Sequence, residues 1–170
     1  VFDDDPRLEA QPLYVPTLTM KRDMTAHDVA FVCTMANNVW AFDVKDGSVL
    51  WKTNLGPPIT PKPTPHPGFP SATEIDLWGV NIKWGILSTP CIDLDERRLY
   101  AVAWTSIDGS VANSRYELHV LDITDGADLK RLIVKASAPT QAGQGEKPAT
   151  FIPSLQKQRA SLLLAAPVLN

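Results

Sequence analysis

The sequence predicts an all-β fold of repeated four-stranded antiparallel sheets, and three observations predict it. Two segments read as strand, tight turn, strand: VWAFDVKDGSVLW from Val39 to Trp51, and LHVLDITDG from Leu118 to Gly126. Each carries an Asp-Gly pair, a strong hairpin signal, because glycine tolerates positive φ and aspartate bonds the backbone of the turn. Arg115 to Ile123 alternates with period two, setting Tyr116, Leu118, Val120 and Asp122 against Glu117, His119 and Leu121. The chain's fifteen prolines disfavour long helices.

The first sheet is expected over residues 12–55, with strands near 12–20, 28–35, 38–44 and 48–55. The first carries Pro16, and the second, HDVAFVCT, is apolar enough to be covered on both faces. Asn37-Asn38 turns the chain into the hairpin, where Asp43 and Asp46-Gly47 make the turn. Trp51 on the return strand is a large apolar plate that one hairpin cannot bury, so another element must stack on it. Residues 56–84 form a loop that is proline-dense from Pro57 to Pro70, where no regular ladder survives. Polyproline II or an ordered connection is expected there. A second sheet follows over 85–136, then a loop over 137–148. A third unit opens at 149–170, with strands expected at Ala149–Leu155 and Ser161–Leu169.

The two hairpins align as an internal repeat: Asp43 with Asp122, Asp46-Gly47 with Asp125-Gly126, and Trp51 with Lys130. The second copy therefore lacks the tryptophan. A second signature marks the start of each unit, at Pro16-Thr17-Leu18, Pro90-Cys91-Ile92 and Pro153-Ser154-Leu155.

Ala41, Asp43, Gly47 and Trp51 resemble the tryptophan-docking repeat of pyrroloquinoline-quinone-like (PQQ-like) β-propellers, roughly A-x-D-x-x-T-G-x-x-x-W, with Asp46 in the usual threonine position. Asp122 and Gly126 carry the second copy. The resemblance runs from Gln11 onward and implies a β-propeller of four-stranded antiparallel blades, with about two and a half blades present. It implies that Trp51 packs between neighbouring blades, and that the remaining blades lie in the same or another chain. Bacterial proteins of this kind are commonly exported, which implies a periplasmic or extracellular place. Three roles follow from it: a non-catalytic scaffold or binding module for a protein or small ligand, part of a quinoprotein alcohol or sugar dehydrogenase holding PQQ and Ca²⁺, or a structural subunit completed by other chains. Trp78 and Trp84, on the loop EIDLWGVNIKW, either line a binding face or plug the top of the propeller.

A net charge of −3 without a basic stripe argues against a nucleic-acid or anionic-membrane surface. No window of about eighteen apolar residues exists to span a bilayer. Val1 to Pro6 is acidic and unlike a signal peptide, so any export signal is expected to have been removed or to lie upstream. Cys33 and Cys91 have no metal-ligand spacing; they are two small thiols in strands or one disulfide between blades. Asp93 and Asp95, in DLDERR, are a paired-carboxylate metal site or, as expected here, a charged hairpin loop. His27, His66 and His119 form no zinc cluster. Neither Ser88 nor Ser154 stands in a nucleophile elbow, and GQG at 143–145 is no phosphate loop. No residue is assigned a catalytic or metal role, and any cofactor rests on the resemblance.

Overall fold

A computed structural model describes residues 7–61, 81–139 and 148–165. The chain is all-β. Strands β1 (Leu13–Thr19), β2 (Ala26–Cys33), β3 (Asn38–Asp43) and β4 (Val49–Asn54) form sheet 1. Strands β5 (Cys91–Asp93), β6 (Arg98–Ser106), β7 (Ser114–Asp122) and β8 (Asp128–Ile133) form sheet 2. Each sheet is an antiparallel meander in sequence order, as propeller blades are built. The one helical element of the described residues is a 3₁₀ turn at Pro153–Leu155. No helix among them is long and apolar enough to cross a membrane.

The two sheets stack through one apolar layer. Phe31, Val39, Ala41 and Trp51 of sheet 1 share a buried cluster with Leu99, Ala101, Ala103, Leu121 and Ile123 of sheet 2. Alanines at 101 and 103 leave room for the bulkier side chains opposite. The far face of sheet 2 has its own cluster, where Trp104 stacks on Tyr116 at 5.3 Å between centroids. Phe151 and Leu162 pack against that cluster from residues 148–165. The Tyr116 hydroxyl donates to the Gln156 carbonyl at 2.8 Å, fastening this segment to the sheet.

Two departures from the sequence reading have clear physical reasons. The second sheet, expected from residue 85, opens only with Cys91–Asp93. Ahead of it, Ile86 N–H donates to the Thr34 carbonyl at 3.4 Å, and a Cβ on Gly85 would lie 2.6 Å from the Met35 carbonyl oxygen. That stretch is held against the β2–β3 turn instead of pairing with β6. The third unit is represented by a small ladder, β9 (Ser137–Ala138) with β10 (Ala149–Thr150), and by the 3₁₀ turn. Residues 156–165 form no strand, because they run across the far face of sheet 2, where Leu162 N–H donates to the Thr89 carbonyl at 3.1 Å.

Candidate functional site

The chemistry-bearing residues of the repeat gather at its two hairpin turns, and both turns are wired alike. In the first, Gly47 N–H donates to the Asp43 carbonyl at 2.8 Å and Asp43 N–H to the Ser48 carbonyl at 2.9 Å. In the second, Gly126 N–H donates to the Asp122 carbonyl at 2.8 Å and Asp122 N–H to the Ala127 carbonyl at 2.9 Å. The side chain of Asp43 takes the Lys45 amide, as that of Asp122 takes the Thr124 amide. Asp46 takes the Ser48 amide, as Asp125 takes the Ala127 amide. Both glycines lie in the left-handed region, at φ +74° and +75°, which costs glycine no Cβ clash. Each ladder also bulges at the same step, Ala41/Phe42 and Val120/Leu121.

The second turn is filled by sheet 1. Trp51 is buried, its Nε1 donates to the Ile123 carbonyl at 2.9 Å, and its ring lies so close that a Cβ on Gly126 would sit 2.6 Å from Cε3. Thr53 Oγ1 donates to the Gly126 carbonyl at 2.6 Å. Lys21, from the β1–β2 turn, places its ammonium 2.8 Å from Asp122 Oδ2 and 2.9 Å from Asp125 Oδ2. Burial pushes the Asp122 carboxyl up, but the Lys21 ammonium and the Thr124 hydroxyl and amide outweigh it, holding the group at about 2. Lys21 is raised in turn, chiefly by its hydrogen bond to Asp122.

The first turn lacks this load. Among the described residues, no atom lies within 4 Å of a Cβ built on Gly47. Asp43 Oδ2, the counterpart of the atom that Lys21 holds, lies 2.6 Å from His27 Nδ1 within the same sheet. His27 Nε2 lies 3.1 Å from Asp23 and 2.7 Å from Thr25 Oγ1. The hydrogen bond to Asp43 raises the His27 imidazole, against partial burial.

The rest of that face differs in the same sense. The cross-strand pair Trp40–Lys52 on sheet 1 stands where His119–Arg131 stand on sheet 2. Glu117 and His119, on the face of β7 that sequence alternation opposes to Tyr116 and Leu118, are buried. They share that face with Leu121, which packs into the layer between the sheets. Thr105 Oγ1 donates to Glu117 at 2.9 Å, Arg115 lies 3.2 Å away, and His119 Nδ1 lies 2.9 Å from Asp128. Trp40 and Phe42 are half-buried and stack at 5.7 Å, with Lys52 Nζ 4.3 Å above the Trp40 ring. At one end of this face lies an open depression of about 560 Å³ lined by Asn38, Lys52, Asn54, Thr60 and Lys83 among others.

The other sequence-marked residues fall elsewhere. Trp84 is buried in the second cluster and donates through Nε1 to the Asn81 carbonyl at 3.0 Å, so its ring does not face a loop surface. Trp78, the GQG stretch and His66 lie outside the described residues. Asp93 accepts from the Glu96 amide at 3.0 Å inside the β5–β6 turn. Cys33 is buried and Cys91 half-buried, both free thiols; burial pushes Cys33 up to about 12.

PQQ with Ca²⁺ needs several oxygen ligands turned to one point. Here the carboxylates of Asp43, Glu117 and Asp122 face histidine, arginine and lysine of the same chain. Among the described residues, no group of three His, Cys, Asp or Glu is placed to hold a metal ion. These residues do not fit a calcium–quinone site.

No family model matches the sequence, and no curated protein matches it. Among solved structures, the chain is similar to a quinohemoprotein alcohol dehydrogenase from Pseudomonas putida HK5, with a TM-score of 0.45 and 9% identity. The match covers 74% of this chain and 25% of that one, so the chain spans about a quarter of its length. That similarity assigns no role to any residue.

Proposed function

We propose that this chain is a non-catalytic scaffold of the PQQ-like propeller kind, exported to a periplasmic or extracellular place, which binds a protein partner through its sheet faces. One observation supports the reading most. The polar residues of the repeat act as parts of a blade-to-blade joint: Lys21 on Asp122 and Asp125, Trp51 on Ile123, Thr53 on Gly126. In this chain these side chains hold one sheet to the next.

The test is reconstitution. Purified chain incubated with PQQ and Ca²⁺ and offered alcohols and sugars is expected to show no bound quinone absorbance and no dye reduction. Substrate-dependent dye reduction would replace the scaffold with a quinoprotein dehydrogenase. A native mass made up only of one fixed larger complex would favour the structural-subunit reading.

A further inference from the structure

We propose that the depression at one end of sheet 1 is a binding site for an oxyanion, the phosphate or carboxylate head of a small molecule. The proposal goes beyond the scaffold reading and does not depend on it. The depression measures about 560 Å³ and is lined by Asn38 of β3, Lys52 and Asn54 of β4, Thr60 and Lys83 among others, a size that suits a small ligand. None of its lining side chains is acidic, and two are lysines.

Its walls are preformed. Asn54 Nδ2 donates to the Ala36 carbonyl at 3.1 Å and to Asn38 Oδ1 at 2.9 Å, and Asn54 Oδ1 accepts the Gly56 amide at 3.0 Å. These bonds fix the Asn38 amide with its oxygen engaged. Asn38 is only 6% exposed, yet among the described residues its Nδ2 donates to no acceptor. The segment carrying Thr60 is pinned as well. Ile59 and Trp84 exchange backbone bonds at 2.9 and 2.8 Å, and Thr60 N–H donates to the Gly109 carbonyl at 2.9 Å. The Thr60 hydroxyl makes no hydrogen bond among the described residues.

Lys52 supplies the charge. Its ammonium lies 4.3 Å above the Trp40 ring and is in no ion pair among the described residues. An indole face holds an ammonium without neutralising it, so the cation stays fixed at the depression. A buried amide donor, a hydroxyl and a held cation, with no acid among them, match a head rich in acceptor oxygens. A neutral sugar fits less well. Its hydroxyls need acceptors, and the amide oxygens of Asn38 and Asn54 are already engaged. Lys52 also covers one face of the Trp40 ring on which a sugar would stack.

The test is a titration of the full chain with sodium phosphate, and separately with sodium succinate, at constant ionic strength, followed by NMR of the side-chain amides. The Asn38 amide protons are expected to shift and saturate. Lys52→Met should weaken binding roughly tenfold or more, and Lys52 is exposed, so this variant keeps the fold. Asn38→Asp retains the acceptor for Asn54 but sets a negative charge against the ligand, and should abolish binding. Tighter binding of phosphate assigns a phosphate head and tighter binding of succinate a carboxylate head; either supports the site. Asn38 signals that stay still with both anions, undiminished affinity in Lys52→Met, or equal shifts with uncharged glucose would overturn it.

Discussion

Gly126 and Gly47 occupy the same place in two turns of the same design. A tryptophan ring from the neighbouring sheet lies against Gly126, whereas among the described residues open space borders Gly47. The difference separates two levels of the fold. The turn is local: an aspartate, an Asp-Gly pair and the bulge that follows suffice to make it twice. The joint is not local, because it needs an indole, a hydroxyl and an ammonium from another sheet. The first turn shows the hairpin without its joint, and the second shows both.

Removing the ring should have the largest effect. Trp51→Ala deletes a buried plate and its bond to Ile123, and is expected to destabilise the chain by about 3–5 kcal/mol in chemical denaturation. Lys130→Ala, at the matching position of β8, should leave the midpoint unchanged, because that side chain is exposed. Equal losses would break the contrast between the two edges.

Acid should act next, and on the joint first. Asp122 is held at about 2 in the folded chain, below the unfolded carboxylate value of about 3.9. Its contribution is thus full above about pH 4 and is lost as pH falls toward 2. His27 runs the other way. Its raised imidazole contributes below about pH 6.5, the unfolded value, and that contribution fades as pH rises through the folded value. Denaturation midpoints between pH 2 and 5 should therefore depend on pH less steeply in Lys21→Met than in the parent. His27→Gln should flatten the profile above pH 6 instead. Identical profiles in both variants would remove the distinction between a cation from the next sheet and one from within.

The smallest effect concerns the thiols. Cys91, half-buried, is expected to react with a thiol reagent under native conditions well before Cys33, whose buried thiol stands at about 12. Equal rates would show that the layer between the sheets opens as readily as the start of β5.

Much of the local architecture was legible in the sequence. The two hairpins, the positive φ of Gly47 and Gly126, and the stacking of Trp51 all follow from turn chemistry and from a ring too large for one hairpin. What depended on sheet-to-sheet placement was not legible. Glu117 and His119 alternate like a solvated face, yet lie buried; a partner sheet decides that, and no pattern within β7 announces it. Lys21 sits in an ordinary polar turn and meets Asp122 only because the sheets stack. The brevity of β5 reflects Gly85 against the β2–β3 turn, and Trp84 is buried by contacts distant in the chain. Beyond the Trp51 plate itself, the signal that pointed across the joint was the change of Trp51 to Lys130 in the repeat, which marks the two edges as unequal.

The most direct test of the account is a pair of double-mutant cycles read by equilibrium denaturation. Gly126→Ala drives a Cβ into the Trp51 ring, and Trp51→Ala empties that space. The two substitutions should therefore couple, by on the order of 1 kcal/mol or more. Gly47→Ala imposes the same backbone strain with no ring beside it, so combined with Trp51→Ala it should be additive within about 0.5 kcal/mol. Coupling of equal size at both glycines, or at neither, would contradict the claim that the Trp51 joint is made at the second turn and not at the first.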